Sequence, residues 1–141
     1  MRLLIDTNIL LDAVIGRAPY CDDADKILHL CASGKVDGII AAHSIPNMFY
    51  ILRHDFSEDE RRAILRNLCQ ILYVESIDRT KLLSALDDSS FSDFEDCSQV
   101  KCAANARVNY IITRNLSDFA ASPIPCLSAS DFCAMYENKA N

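Results

Sequence analysis

Asp6, Asp93, Asp96 and Asp118 are the residues of this chain whose type and spacing best suit chemistry. Asp6 ends the apolar run Met1 to Ile5 and is followed by Thr7 and Asn8. Leu3 to Ile5 read as a short buried strand. In open parallel α/β sheets, ligands bind in the crevice beyond the carboxyl ends of the strands. An acid at that point is placed to hold a metal ion, and it could equally cap the helix that follows. Asp96 falls in the first turn of a predicted helix, with Asp93 one turn earlier, and Asp118 lies just past a later strand. Singly, each acid has an ordinary explanation. Asp93 and Asp96 suit a helix N-terminus through its dipole, and Asp118 suits a cap before Phe119. Together they point elsewhere, because if the first and fourth strands are neighbours all of them share one end of one sheet. Carboxylates at short range repel unless neutralised. Mg²⁺ and Mn²⁺ take oxygen ligands, and a metal held this way activates water and stabilises charge on phosphoryl oxygens.

The elements that would position these acids alternate along the chain. The pattern predicts a strand over Arg2 to Asp6, a helix over Asn8 to Ile15, and a break at Gly16-Arg17-Ala18-Pro19. A second helix is expected over Asp22 to Ser33, with acids in its first turn and Gly34 just past its end. Gly38 to Ala42 reads as a second strand. Ser44 is expected to cap a third helix with Pro46 in its first turn, where proline is tolerated. Ser57-Glu58-Asp59-Glu60 is a capping box. The helix it opens sets Ile64, Leu65, Leu68 and Ile71 or Leu72 on one face. Tyr73 to Glu75, Tyr110 to Thr113 and a short piece framed by Pro123 and Pro125 complete the strands. Helices over Arg79 to Leu86 and Phe94 to Arg107, and a last one capped by Ser128 and running to about Glu137, complete the set, with the final residues expected to fray. Strands separated by helices mean βαβ units, a parallel sheet and right-handed crossovers.

Bulk composition narrows the function. The chain has 141 residues, 50 % hydrophobic and 24 % charged, which suits one ordinary globular domain over residues 1–141. Its formal charge of −6 excludes a general polyanion binder, since affinity for a phosphate backbone comes mainly from Lys and Arg. A cluster of acids loaded with a divalent cation attracts phosphate all the same. Arg53, His54, Arg61, Arg62 and Arg66 read as a solvated helix face more readily than as a basic strip. Seven scattered cysteines with no Cys-x-x-Cys pair argue against a disulfide framework and a zinc site. With no signal peptide and no apolar run approaching ~20 residues, a cytoplasmic location and no membrane contact are expected. No Gly-rich phosphate loop is present, and no Ser or Cys has a convincing His partner. Position 8 is Asn, where a haloacid dehalogenase-type phosphatase needs Asp. A receiver domain's acidic pair, phospho-acceptor and Lys are also missing. His29 reads as structural, whereas His43, at the end of the second strand, is placed to touch a substrate.

Several motifs recur in order: Leu-Leu-Ile-Asp-Thr-Asn-Ile-Leu-Leu-Asp at 3–12, Gly-Arg-Ala-Pro at 16–19, Asp-Ala-Asp-Lys-Ile-Leu at 23–28, Asp-Phe-Glu-Asp-Cys-Ser-Gln at 93–99, and Tyr-Ile-Ile-Thr-Arg-Asn at 110–115 with Asp118-Phe119. In these the chain resembles the PIN domain family, in its small prokaryotic toxin-like branch. The resemblance implies a three-layer α/β/α sandwich around a mostly parallel sheet of four to five strands. It implies a Mg²⁺- or Mn²⁺-dependent endoribonuclease, the toxin of a toxin–antitoxin pair, with RNA, an antitoxin protein and a second copy in a homodimer as partners. Asp6, Asp96 and Asp118 match the acidic metal and catalytic positions. Asp93, Asn47, Thr113 and Asn115 are expected auxiliaries, and Asn8, His43 and Arg114 expected substrate contacts. The sequence departs from the family at two places. The usual Glu of the helix after strand two is Asn47 here, and Asn115 stands where many relatives carry Asp. Two fewer charges weaken divalent affinity, so an alternative reading stays open: a catalytically degenerate PIN domain that binds RNA or protein without cutting.

Overall fold

Strand β1 (Arg2–Ile5) places Leu3 and Ile5 in one hydrophobic core and Leu4 in another, so its period of two serves both faces of a sheet. The computed structural model describes residues 1–141. The order of elements is β1, α1 (Thr7–Ile15), α2 (Cys21–Ala32), β2 (Asp37–Ala41), α3 (Ser44–Ile51), α4 (Glu58–Ile71), β3 (Tyr73–Glu75), α5 (Arg79–Asp87), α6 (Phe94–Asn105), β4 (Tyr110–Ile112), β5 (Cys126–Leu127) and α7 (Ala129–Ala140). Two 3-10 turns, Leu52–His54 and Leu116–Phe119, follow α3 and β4.

The five strands run in the order β3-β2-β1-β4-β5, every pair parallel. Strand β1 pairs β4 from Leu3 opposite Tyr110 to Ile5 opposite Ile112, which meets the condition for the acids to share one end of the sheet. The chain builds outward from β1 to β3 on one side and then restarts with β4 on the other. The switch in direction lies between β1 and β4, where crevices form in such sheets. Helices α1, α2, α3, α4 and α7 cover the Leu3–Ile5 face around Ile9, Ile27, Met48, Leu68 and Phe132. On the Leu4 face, α6 contributes Val100, Cys102 and Ala103, and α5 packs on α6.

Local chemistry fixes most boundaries. Ser57 Oγ accepts the Glu60 amide at 3.2 Å while Glu60 Oε1 accepts the Ser57 amide at 3.0 Å, so the capping box opens α4 as expected. Three expectations are corrected. Ser44 does not cap α3: it is the first helical residue, fully buried, and its hydroxyl accepts a hydrogen bond from Thr7 Oγ1 at 2.8 Å. The fifth strand lies just beyond Pro125 rather than between the prolines. Proline has no amide to give a ladder, and pairing begins at its carbonyl, which accepts from Ile111 N at 3.0 Å. Helix α7 continues to Ala140, past the expected stop near Glu137 and through the residues expected to fray.

Candidate active site

Asp6 sits where β1 ends and α1 begins, at the helix cap position, but its side chain makes no capping bond. Its carboxylate is 3 % exposed and is held from two other elements. Gln99 Nε2 of α6 donates to Oδ1 at 2.9 Å, and Thr113 Oγ1, one residue past β4, donates to Oδ2 at 2.9 Å. Thr113 Oγ1 in turn accepts the Asn115 amide at 3.0 Å. The helix-cap explanation of Asp6 therefore does not apply: the sheet order delivers it into the β1–β4 crevice. Gln99 is almost fully buried, and its Oε1 has no partner.

Asp93 is the N-cap of α6, its Oδ1 accepting the Asp96 amide at 2.9 Å. That bond starts the helix so that Asp96 and Gln99, three residues apart, share a face. Asp118 lies on the 3-10 turn after β4. Asp6, Asp93, Asp96 and Asp118 line one cavity of about 440 Å³, and so does Glu95. Partial burial first, and then the charges of Asp93, Asp6, Asp118 and Glu95, push the Asp96 carboxyl up to about 7. No donor to Asp96 offsets this.

The remaining predicted positions divide. Asn8, Asn47 and Asn115 are in the cavity wall, and Thr113 lies beneath it on Asp6. His43 is not in that wall. Both of its ring nitrogens are buried without partners, and burial lowers its pKa against the pull of Glu95. Arg114 faces a neighbouring cavity of about 590 Å³ that meets the acidic one at Asn115. Its guanidinium is held by Asp12, with Nη2 donating to Oδ1 at 3.1 Å and Nε standing 2.8 Å from Oδ2. Arg17 approaches the same carboxylate at 3.7 Å, yet burial keeps the pKa of Asp12 raised.

Sequence reasoning missed Glu95, Gln99 and Tyr50, which all line the acidic cavity. Glu95 Oε1 accepts a long hydrogen bond from Asn47 Nδ2 at 3.4 Å. An acid in a first helical turn satisfies the helix dipole, and that hid it. The usable signal was helical spacing, since Glu95 and Gln99 are four apart and Asp96 and Gln99 three apart.

The donors gathered here are carboxylate and amide oxygens, the set that hard divalent cations select. Asp96 carries charge that no protein donor offsets, and Gln99 Oε1 is an unpartnered acceptor in the same wall. These residues fit a divalent cation in chemistry. In position they stand apart: no three His, Cys, Asp or Glu side chains are grouped closely enough to hold an ion as placed.

Comparison with known proteins identifies the fold's relatives. The Rickettsia felis VapBC2 complex, bound to a DNA fragment from its promoter, aligns with a TM-score of 0.67 and 14 % identity over 91 % of this chain and 98 % of that one. A toxin–antitoxin complex from Klebsiella pneumoniae gives 0.67 and 21 % identity over 90 % of this chain and 97 % of that one. Mycobacterium tuberculosis VapC20, a sarcin–ricin loop cleaving toxin, gives 0.66 and 14 % over 86 % and 95 %. No curated protein matches by sequence. A family model for the PIN domain matches residues 2–117, most of the chain. With its sheet order, acidic crevice and sequence match in agreement, this chain belongs to the PIN domain family.

Proposed function

We propose that this protein is a divalent-metal-dependent endoribonuclease, acting in the cytoplasm as the toxin of a toxin–antitoxin pair. The observation that carries the reading is the convergence of Asp6, Asp96 and Asp118 on one cavity at the switch point of the sheet. Asp6, fixed by Gln99 and Thr113, would hold a Mg²⁺ or Mn²⁺ ion together with Asp96 and Asp118. Such an ion supplies a water activated for attack and a positive charge against the phosphoryl oxygens. The chain's own amides do the rest. Asn8, Asn47 and Asn115 offer neutral donors to phosphate and ribose oxygens along the wall without adding repulsive charge. Asp93 keeps the amino end of α6 aimed at the crevice. One similar structure is a toxin–antitoxin complex from Klebsiella pneumoniae, which supports an antitoxin as the protein partner. A homodimer is the proposed assembly. The exposed apolar side chains Leu83 and Leu86 of α5 and Phe94 of α6 are surface that a second copy would cover.

The test is cleavage of single-stranded RNA by the purified protein with Mn²⁺. Activity is expected to stop with EDTA and, separately, with Asp96→Asn. The products are expected to carry 5′-phosphates, because water rather than the ribose 2′-hydroxyl attacks. One observation favours the second reading of a binding module that does not cut: position 47 is an amide, and its nearest acid, Glu95, is only loosely joined to it. Intact RNA across varied sequences, with binding retained, would establish that reading instead.

A further inference from the structure

Two exposed tyrosines accompany the acidic cavity. Tyr50, near the end of α3, forms part of its wall and is 64 % exposed. Tyr20, just before α2, is 45 % exposed and lines the larger cavity that joins the acidic one at Asn115. Each ring carries an arginine on one face. The Arg53 guanidinium carbon stands 3.6 Å from the Tyr50 ring centre, and that of Arg114 stands 4.3 Å from Tyr20. Both arginines are anchored, Arg53 by donating to the Tyr50 carbonyl at 2.7 Å and Arg114 by Asp12. A guanidinium on one face holds each ring in place, and the exposure that remains leaves ring surface for a planar ligand.

The formal total is −6, and carboxylates line the cavity, so a phosphate chain needs cations close by. On the Tyr50 side, Arg61 and Arg62 lie over Phe49, the residue before Tyr50, at 4.2 and 5.7 Å, and Arg62 is paired with Glu58. On the Tyr20 side, Arg114 and Arg17 share the one carboxylate of Asp12, and Asp23 in the same cavity wall is paired with Lys26. Aromatic rings beside cations bind single strands by stacking on successive bases, with little dependence on sequence. A paired strand keeps its bases stacked within the duplex and has none to offer.

Building on the ribonuclease reading, we propose that Tyr50 with Arg53 and Tyr20 with Arg114 are two stacking platforms that hold an unpaired RNA strand by its bases across the acidic cavity. The strand would place one base on Tyr50 within the cavity wall and another on Tyr20 beyond Asn115, with the phosphate between them over the acids. Selection for unpaired RNA is then built into the surface rather than into any reading of base edges.

The experiment measures fluorescence anisotropy of labelled oligoadenylate on the Asp96→Asn protein in EDTA, where no cutting interferes. Tyr50→Ala and Tyr20→Ala are each expected to weaken binding about five-fold or more, with Tyr50→Phe within about two-fold of the parent, because stacking needs only the ring. A matched abasic ribose-phosphate strand, and the same oligoadenylate paired with oligouridylate, are expected to bind without any response to the tyrosine changes. Both rings lie at the surface, so unchanged melting temperatures are expected to show that the fold is intact. Tyrosine variants that bind oligoadenylate like the parent, or lose the abasic strand equally, would overturn the platforms while leaving the ribonuclease reading standing. A parent protein that binds none of these RNAs would overturn the platforms, whereas the ribonuclease reading stands or falls on cleavage with Mn²⁺.

Discussion

At the scale of single residues, Asp6 and Asp96 have opposite environments, and substitutions are expected to separate them. Asp6 accepts two hydrogen bonds. In Asp6→Asn the new amide group meets a donor from Gln99 or Thr113, so the metal-free protein is expected to melt lower and to lose its stabilisation by Mn²⁺, read by differential scanning fluorimetry. Asp96 has the reverse problem. Its folded-state pKa is raised to about 7 from the ordinary value of 3.8. Between those two pH values the folded protein holds a proton that the unfolded chain has released, so stability falls as pH rises through the window. Above about 7 the cost is complete. Asp96→Asn in EDTA is therefore expected to raise the melting temperature, more at pH 8 than at pH 5; an equal gain at both would remove the electrostatic account. Asn47→Glu would set a second carboxylate against Glu95. It is expected to lower the metal-free melting temperature and to enlarge the upward shift on adding Mn²⁺. The acids Asp6, Asp96 and Asp118 were legible because strand ends and helix starts show in the apolar pattern. Gln99 was not, because its helical spacing from Asp96 gains meaning only once the fold shows which carboxylate it serves.

At the scale of elements, the parallel sheet and the Ser57 capping box were readable from local pattern, whereas the β1–β4 pairing entered only as a condition, because local pattern does not fix which strands are neighbours. What was not readable depended on tertiary partners. Ser44 looks like a cap until Thr7 takes its hydroxyl. The helix expected to reach Arg107 stops at Asn105 through a Schellman closure: Val108 N donates to Ala103 O and Arg107 N to Ala104 O, both at 3.2 Å. Arg107 fills the left-handed position of that closure at φ 55°, where glycine is the favoured residue. Arg107→Gly is expected to be neutral to stabilising, by up to about 1 kcal/mol in urea unfolding, as relief of backbone strain exceeds the added freedom of the unfolded chain. The opposite holds in β2. A Cβ at Gly38 would stand 2.5 Å from Leu72 Cδ2 and 2.6 Å from Cys31 Sγ. Gly38→Ala is expected to destabilise by roughly 1–3 kcal/mol, because the buried Leu72 and Cys31 side chains must move within a packed core.

At the scale of the whole molecule, a net charge of −6 gives no view of local placement, because composition does not say which arginines lie over which rings. Leu83 and Leu86 are 46 % and 65 % exposed, and replacing both by Glu is expected to convert the proposed dimer to a monomer in light scattering without unfolding it. The pairing of β1 with β4 has a consequence in time. Asp6 is held by groups 93 and 107 residues further along the chain. A ribosome delivers the chain from its amino end at roughly 5–20 residues per second, and contacts of high sequence separation form late. The central strand and first acid are therefore made with no crevice around them, and the site closes only once Thr113 has emerged to bond Asp6. On the proposed reading, a nuclease built this way would stay inert to the transcript that encodes it until its last acid and Thr113 had been made.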